Sequence, residues 1–285
     1  MSPTDHPGAI VSAKWLKEHL SDSKVFIADA TVHLPDTGRD AQAEYLVEHI
    51  PNAIFFDLGE IADPKNPLPR KVPNEALFSE KVGALGINNQ THVVVYDTPG
   101  LYSAARVWWL FKLYGYDNVS ILNGGLKRWK QCEYPVTNQI VQRDPSDFKI
   151  INKRDLLALQ SEVLDVSQSD GEILDARTPG RYSGTEEDRY PGTRSGHIPG
   201  SHNLYWANLL DQETREFLPK EQLGKQFEMS GVNVSKPIIL SCGSGLTACI
   251  LALALDQLGH LNWKVYDGSW DEWGRDHTLP IDSAT

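Results

Sequence analysis

The chain has 285 residues, 40% of them hydrophobic, which is enough for two domains that each bury a core. Acidic residues outnumber basic ones, 38 to 27, and the formal net charge of −11 argues against general binding of nucleic acid or of an anionic membrane. Three cysteines are too few for a disulfide framework, no apolar run could span a bilayer, and residues 1–20 lack the apolar core of a signal peptide, so we expect a cytoplasmic protein.

The first half of the chain alternates helical and strand patterns. In chain order the predicted elements are a short amphipathic helix over 11–20, a buried strand over 25–30, a helix over about 74–83, a strand over 92–97, a helix over 103–114 and a strand over 119–122. Ser12 is a candidate N-cap of the first helix, and Asp29 lies at the end of the first strand.

The second half repeats the landmarks of the first half in the same order. The strand that ends at Asp29 recurs at 173–175, the His-Ile-Pro segment at 49–51 recurs at 197–199, the strand over 93–97 recurs at 238–242, and the segment 120–129 recurs at 264–273. His197 follows His49 by 148 residues, and the last segment follows its counterpart by 144 residues. Such regular offsets indicate an internal duplication.

The alternation of strands and helices in each half predicts an α/β fold. We expect two similar domains, each a mostly parallel sheet flanked by helices on both faces. The predicted boundaries are 10–136 for the N-terminal domain, 137–152 for a polar linker and 153–285 for the C-terminal domain.

The two copies differ in chemistry at the end of the central strand, where the first has Asp97 and the second has Cys242. A loop with two glycines follows Cys242, and a helix is predicted over 248–258. A cysteine between a strand and a helix N-terminus lies among unpaired backbone N–H groups, which favour the thiolate over the thiol. Gly243 and Gly245 allow the backbone to turn these groups toward the sulfur. The pattern predicts that Cys242 is a nucleophile and that the first domain serves as a scaffold and one wall of a cleft.

The segment Cys-Gly-Ser-Gly-Leu-Thr-Ala at 242–248 resembles the active loop of the two-domain rhodanese family, and more narrowly that of its 3-mercaptopyruvate sulfurtransferases, which have Val in place of Leu246. The resemblance extends over nearly the whole chain and includes both His-Ile-Pro segments, Arg-Val-Trp-Trp at 106–109 and Tyr-Asp-Gly-Ser-Trp-Asp-Glu-Trp at 266–273. Relatives that prefer thiosulfate have basic residues directly after the cysteine, where this chain has neutral Gly243 and Ser244.

This resemblance implies tandem rhodanese-like domains and a two-step transfer of sulfur. Cys242 takes the sulfur of 3-mercaptopyruvate as a persulfide, pyruvate leaves, and thioredoxin, a small thiol or cyanide accepts the sulfur. It also implies that Ser244 and Asp57 assist the cysteine and that the loop residues Gly243, Gly245, Leu246 and Thr247 line the substrate site. No cofactor or metal is expected, since no spacing matches a zinc site or a phosphate loop.

Arginine is the residue suited to clamp the donor carboxylate. The resemblance places one clamp at Arg181, within Gly-Arg-Tyr at 180–182. A second clamp is expected nine residues later, where this chain has Tyr190, with Arg189 one residue before it. Further candidates are Arg177, Arg194 and Arg70.

Several of these residues have simpler interpretations. Ser244 fits a small loop residue, and Asp57 fits a carboxylate that binds neighbouring backbone. His49 and His197 occupy mirrored places, as do Asp29 and Asp175, which favours structural roles. In the same way, Arg177 fits an ion-pair partner of Asp175. Cys249 fits a core residue, and Cys132 fits an inert residue at the surface or edge of the domain.

Three other functions remain open at this stage. A cysteine phosphatase or arsenate reductase needs an arginine six residues after the cysteine, where this chain has Ala248, so that function is disfavoured. Transfer from thiosulfate to cyanide is the nearest alternative. A non-catalytic tandem module that binds partners or carries sulfur is the alternative from a different class.

Overall fold

The structure, a computed structural model, describes residues 7–34 and 37–283. It divides into two compact units. The first unit comprises the described residues up to Arg154 together with Gln212–Glu216, and the second comprises Asp155–Asp211 and the described residues from Phe217 onward.

The first unit contains five strands and five helices that alternate along the described chain. They are β1 (Ile10–Val11), α1 (Ala13–Glu18), β2 (Val25–Asp29), α2 (Ala41–Val47), β3 (Ala53–Phe55), α3 (Glu75–Ala84), β4 (His92–Tyr96), α4 (Ala104–Leu113), β5 (Val119–Leu122) and α5 (Gly125–Gln131). The strands form one sheet in the order β1-β5-β4-β2-β3, and every pair in it is parallel.

The second unit repeats this arrangement. Its elements are β6 (Leu157–Ala158), α6 (Gln160–Ser167), β7 (Glu172–Asp175), α7 (Pro179–Ser183), β8 (His202–Asn203), α8 (Lys220–Ser230), β9 (Ile238–Ser241), α9 (Ala248–Leu258), β10 (Trp263–Tyr266) and α10 (Ser269–Trp273), with a 3-10 helix at Trp206–Leu209. The sheet order β6-β10-β9-β7-β8 is that of the first unit, and all pairs are again parallel. The predicted duplication and the predicted α/β fold are confirmed.

The central strands and the helices beside them are apolar because both faces of each sheet are covered. All five residues of β4 and all four of β9 are buried, as expected for parallel strands between helices. The side chains of Ser12 and Asn74 cap α1 and α3 by accepting hydrogen bonds from the N–H groups of Trp15 and Leu77. None of the helices in the described chain is long and apolar enough to cross a bilayer.

The structure differs from the predictions at the sheet edges. Val11, predicted as the first residue of a helix, lies in β1 and pairs with Leu122, so α1 begins only at Ala13. The matching edge strand β6 was not predicted either, since two residues are too few to show a period of two.

The segment 137–152, predicted as a linker, belongs to the first unit and packs against its other residues. Phe148 is buried, and its ring makes edge-on contacts with Phe78 and Phe111. The N–H of Ser146 donates to the carbonyl of Gly83 at 2.9 Å.

The sheet of the second unit determines which loops can meet. Strands β7 and β9 are neighbours, with Asp175 beside Ser241 at their carboxyl ends. Cys242 and the connection that follows β7 therefore begin at the same edge of the sheet, where parallel α/β folds place their ligand sites.

Candidate active site

The sulfur of Cys242 lies in a buried loop of main-chain N–H groups at the carboxyl end of β9. Its Sγ accepts a hydrogen bond from the N–H of Gly245 at 3.1 Å, and its side chain is almost fully buried. Helix α9 begins at Ala248, so the sulfur precedes the first helical residue by a single short turn. An N–H donor of this kind stabilises a thiolate, and it would equally stabilise a persulfide anion in the same place.

Ser269, which the sequence analysis did not identify, holds the start of this loop. Its hydroxyl oxygen accepts from the N–H of Cys242 at 3.1 Å, lies 3.9 Å from the sulfur, and its hydroxyl donates to the carbonyl of Tyr266 at 2.8 Å. Ser269 has a φ of 53°, a conformation that costs free energy for a residue other than glycine. The duplication carried the signal that could have identified it, because the first copy has Gly125 at the same position.

The two glycines of the loop leave room that a side chain would fill, but for different reasons. Gly245 has a φ of 84°, and a Cβ there would lie 2.7 Å from the carbonyl oxygen of Asp267. Gly243 lacks a positive φ, but a Cβ there would lie 2.5 Å from Cε2 of Tyr190. The remaining predicted residues of the loop, Ser244, Leu246 and Thr247, are all buried.

Tyr190 extends from the connection after β7 to the cysteine loop. Its hydroxyl is hydrogen-bonded to the side chain of Ser244. Burial, the negative charge of a Cys242 thiolate and the carboxylates of Asp188 and Asp271 raise the pKa of Tyr190 to about 12. The phenol is therefore protonated and neutral throughout the range in which proteins normally function.

Arg177 and Arg194, both candidates for the carboxylate clamp, are committed to the structure of the second unit. Arg177 is buried, forms ion pairs with Asp175 and Asp188 at 2.8 Å each, and lies 4.4 Å from the centre of the Trp270 ring. Arg194 donates to a set of backbone carbonyls, those of Trp273, Gly274, Asp276 and Leu279. Neither guanidinium is available for a substrate without loss of these bonds.

Arg181 lies in α7, on the connection that begins beside Cys242. Its Nε donates to Oγ1 of Thr178 at 3.1 Å, and the described residues offer no partner to its two terminal nitrogens. Its side chain is half-buried. Arg189 is exposed, whereas the ring of Tyr190 next to it contacts the cysteine loop. The structure thus brings Tyr190 to Gly243 and leaves Arg189 on the surface.

Asp57 and Arg70 belong to the first unit. Asp57 is exposed, and its Oδ1 accepts from the N–H groups of Gly59 at 2.7 Å and Glu60 at 3.3 Å, as the simpler interpretation of this residue expects. The carbonyl of Arg70 accepts from Arg106 at 3.0 Å.

The repeated polar residues of the two copies have structural partners. The rings of His49 and His197 stack on Tyr45 and Tyr182, with centroids 4.1 and 3.9 Å apart, and each Nδ1 bonds the carbonyl of the same tyrosine. Asp29 bonds Thr31, and Asp175 bonds Arg177.

The two remaining cysteines lie within helical packing. Cys249 is fully buried in α9, and its thiol donates to the carbonyl of Gly245. Cys132 is partly buried against the core of the first unit at the end of α5. Within residues 7–34 and 37–283 no group of three or more His, Cys, Asp and Glu side chains could hold a metal ion.

In the first unit Asp97 occupies the place of Cys242. Its Oδ2 accepts from the N–H groups of Ser103 at 2.7 Å and Ala104 at 2.8 Å, so a carboxylate caps α4 where the second unit presents a sulfur. Burial raises the pKa of Asp97 in spite of these hydrogen bonds. In the first copy the N–H groups of this loop thus bind the carboxylate of Asp97.

Comparison with known proteins matches the rhodanese-like domain to residues 12–132 and 159–276. Thiosulfate sulfurtransferase of Bos taurus is 42% identical over 93% of this chain and 91% of its own length. The 3-mercaptopyruvate sulfurtransferase of Escherichia coli is 37% identical over 95% of this chain and 97% of its own length. The crystal structure of SseA from Escherichia coli, titled as a 3-mercaptopyruvate sulfotransferase, superimposes with a TM-score of 0.84 at 36% identity, covering 92% of this chain and 99% of that one. Two matched domains and full-length similarity make this chain a two-domain member of the rhodanese family of sulfurtransferases.

Proposed function

We propose that the protein transfers the sulfur of 3-mercaptopyruvate through a persulfide on Cys242 to a thiol or to cyanide, with release of pyruvate. The observation that carries the proposal is the loop itself, in which Cys242 accepts the N–H of Gly245 and is followed by neutral Gly243 and Ser244. The loop offers a stabilised sulfur anion but no side-chain cation after the cysteine, a combination better suited to a monoanionic donor than to dianionic thiosulfate.

In the first step the Cys242 thiolate attacks the thiol sulfur of the donor. A sulfur–sulfur bond forms, the carbon–sulfur bond breaks, and its electron pair leaves with pyruvate as the enolate, which takes a proton to become pyruvate. In the second step the acceptor attacks the outer sulfur and restores the Cys242 thiolate. Division of the transfer into two steps avoids an encounter of three molecules.

Arg181 is the proposed clamp for the donor carboxylate, with Arg189 as a proposed second cation. Arg181 has terminal nitrogens that the described residues leave available, on a connection that starts beside the strand of Cys242. A guanidinium presents two parallel N–H donors to a carboxylate and so fixes its orientation. Ser244 is proposed to assist the sulfur through its hydroxyl, and Asp57 is retained as a proposed assisting carboxylate.

The acceptors proposed are thioredoxin, small thiols and cyanide. The proposed location is the cytoplasm, since three cysteines without a disulfide suit a reducing compartment. This compartment would also supply the thiol acceptors.

The proposal is tested by the intact mass of the protein after incubation with 3-mercaptopyruvate. We expect a gain of one sulfur in the natural protein and in Cys132→Ser and Cys249→Ala, and none in Cys242→Ser. Pyruvate release should match the persulfide formed. A Cys242→Ser protein that still gains sulfur and turns over would rule out the mechanism.

Thiosulfate is the second candidate donor, because relatives named thiosulfate sulfurtransferase are 42% identical to this chain. The two donors are separated by their values of kcat/KM with cyanide as the common acceptor. We expect the higher value for 3-mercaptopyruvate, and an equal or higher value for thiosulfate would favour the second candidate. Absence of a persulfide with either donor would instead support a non-catalytic module.

A further inference from the structure

Tyr190 fits the cysteine loop so closely that a side chain on Gly243 would require the phenol ring to shift. A Cβ on Gly243 would lie 2.5 Å from Cε2 and 2.9 Å from the hydroxyl oxygen of Tyr190, which is closer than real contacts allow. Gly243 has no positive φ, so backbone conformation does not explain the glycine. The contact with the phenol ring is what excludes a side chain there, and it places the ring against the residue next to Cys242.

The hydroxyl of Tyr190 continues this contact along the loop. It is hydrogen-bonded to Ser244, itself buried, so one side chain holds two consecutive residues that follow the nucleophile. The main chain of the loop is held as well, because the N–H of Asp271 donates to the carbonyl of Gly243 at 2.8 Å. Both α10 and Tyr190 thus contact the cysteine loop at Gly243.

The charges around Tyr190 make its neutrality important. Asp188 is paired with Arg177, and Asp271 is paired with Arg275, so each of these two arginines already has a carboxylate partner. The phenol faces the sulfur without a charge of its own, and the high pKa given above excludes a role as a base. Any positive charge that a donor meets next to Cys242 must then come from another side chain, such as Arg181 or Arg189.

We propose that Tyr190 is a positioning and specificity-determining residue: its neutral phenol holds Gly243 and Ser244 in place beside Cys242 and puts no positive charge against these two residues. The proposal rests on the proposed function only in taking Cys242 as the nucleophile. It predicts that the site discriminates against dianionic donors because of a residue outside the cysteine loop.

The first test uses no sulfur donor and measures the rate of alkylation of Cys242 by iodoacetamide as a function of pH, with intact mass to confirm one site. Tyr190→Arg places a cation beside the sulfur, so we expect the midpoint of the profile to move down by about one pH unit. Tyr190→Phe keeps the ring but removes the hydroxyl that is bonded to Ser244. The loop is then held less firmly around the sulfur, so we expect the midpoint of the alkylation profile to lie at a higher pH than in the natural protein. Tyr182→Phe is the matched control, since its hydroxyl bonds the carbonyl of Ser201 away from the loop.

The second test compares kcat/KM for 3-mercaptopyruvate and thiosulfate in the same variants. A new cation favours a dianion over a monoanion, so Tyr190→Arg should shift the ratio toward thiosulfate by about 10-fold. Tyr190→Phe should lower both values and leave their ratio within about 2-fold. A purely structural role would lower both values in both variants without changing the ratio or the alkylation profile.

The third test examines the contact itself. Gly243→Ala should impair alkylation and turnover when Tyr190 is present, and the combination with Tyr190→Ala should recover part of the loss. The proposal is overturned if Tyr190→Arg and Tyr190→Phe alkylate with the natural profile, or if Gly243→Ala is silent. If the natural protein forms a persulfide only from thiosulfate, the proposed donor is wrong while the alkylation profiles still decide the role of Tyr190.

Discussion

The strained backbone of Ser269 is best understood by comparison with Gly125, its counterpart in the first unit. Ser269 and Gly125 occupy the same repeat position with φ values of 53° and 58°. A Cβ on Gly125 would lie 2.2 Å from the carbonyl oxygen of Asp97, so the first unit requires glycine there. The second unit tolerates a side chain at this position and places a hydroxyl on the N–H of Cys242.

Two substitutions at Ser269 separate strain from function. Ser269→Gly relieves the backbone and should leave the stability of the protein unchanged or raise it by up to about 1 kcal/mol, whereas Ser269→Ala retains the strain. Both lose the hydroxyl that holds Cys242, and we expect persulfide formation to slow by roughly 10-fold in each. Thermal unfolding and single-turnover pyruvate release are the measurements. If Ser269→Gly formed persulfide at the natural rate, the hydroxyl would have no part in the reaction.

Arg181 differs from Arg177 and Arg194 in that its two terminal nitrogens have no partner among the described residues. Arg181→Ala should lower kcat/KM for 3-mercaptopyruvate by roughly 100-fold, because a charged hydrogen-bonded pair is lost. Arg181→Lys should recover only part, since an ammonium cannot reproduce the planar fork. Persulfide formation from an uncharged sulfur donor serves as the control and should change little. Near-natural kinetics of Arg181→Ala would transfer the role to Arg189, which is tested in the same way.

At the scale of elements, the two strand-to-helix loops differ in length as well as in their first residue. Six residues, 98–103, separate Asp97 from α4, whereas five, 243–247, separate Cys242 from α9. The first loop carries a carboxylate that accepts two N–H groups of its helix, and the second turns a glycine N–H onto sulfur. The same fold therefore supports a helix cap in one copy and, in the other, the cysteine that we propose as the nucleophile.

A cysteine alone should not convert the first loop into a second active site. In Asp97→Cys combined with Cys242→Ser we expect no added sulfur after incubation with either donor, because the loop is longer and Gly125 offers no hydroxyl. Loss of the cap should lower the free energy of unfolding by about 1–2 kcal/mol. Asp97→Asn, which keeps the size of the side chain, is the control for stability. An added sulfur in the combined variant would show that the identity of one residue decides which copy is active.

The elements that the sequence predicted are those whose signal is local. Strand β9, helix α9 and the capped helix α3 were predicted almost to the residue, because apolar runs and N-caps are visible in a few neighbouring residues. The prediction of Cys242 with Gly243 and Gly245 rests on the same kind of local signal, and that of the other loop residues rests on the family resemblance of 242–248. Tyr190 and Ser269 were not assigned to the site, since they reach Cys242 from 52 residues before and 27 residues after it, and only tertiary contacts join them.

At the scale of the whole molecule, the duplication has given two units with the same scaffold and with different residues at the end of the central strand. The sheet orders are the same in both units, and the strand-end aspartates and the histidine–tyrosine stacks are kept in both. The differences include the residue at the carboxyl end of one central strand, Asp97 or Cys242, and the first residue of the last helix of each unit, Gly125 or Ser269. We propose that these differences confine sulfur transfer to the second unit.

The net charge of −11 sets the long-range field that an anionic donor meets. Repulsion between distant exposed charges is screened over about 10 Å at 0.1 M salt, while a partly buried contact such as that proposed for Arg181 is screened much less. We therefore expect kcat/KM for 3-mercaptopyruvate to rise, by less than about 3-fold, between roughly 20 and 200 mM salt, and to rise more for dianionic thiosulfate. The rate at which a neutral thiol takes the outer sulfur from the persulfide should not change with salt, and it serves as the control. A fall in kcat/KM with salt would mean that local cations, and not the overall charge, govern the approach of the donor.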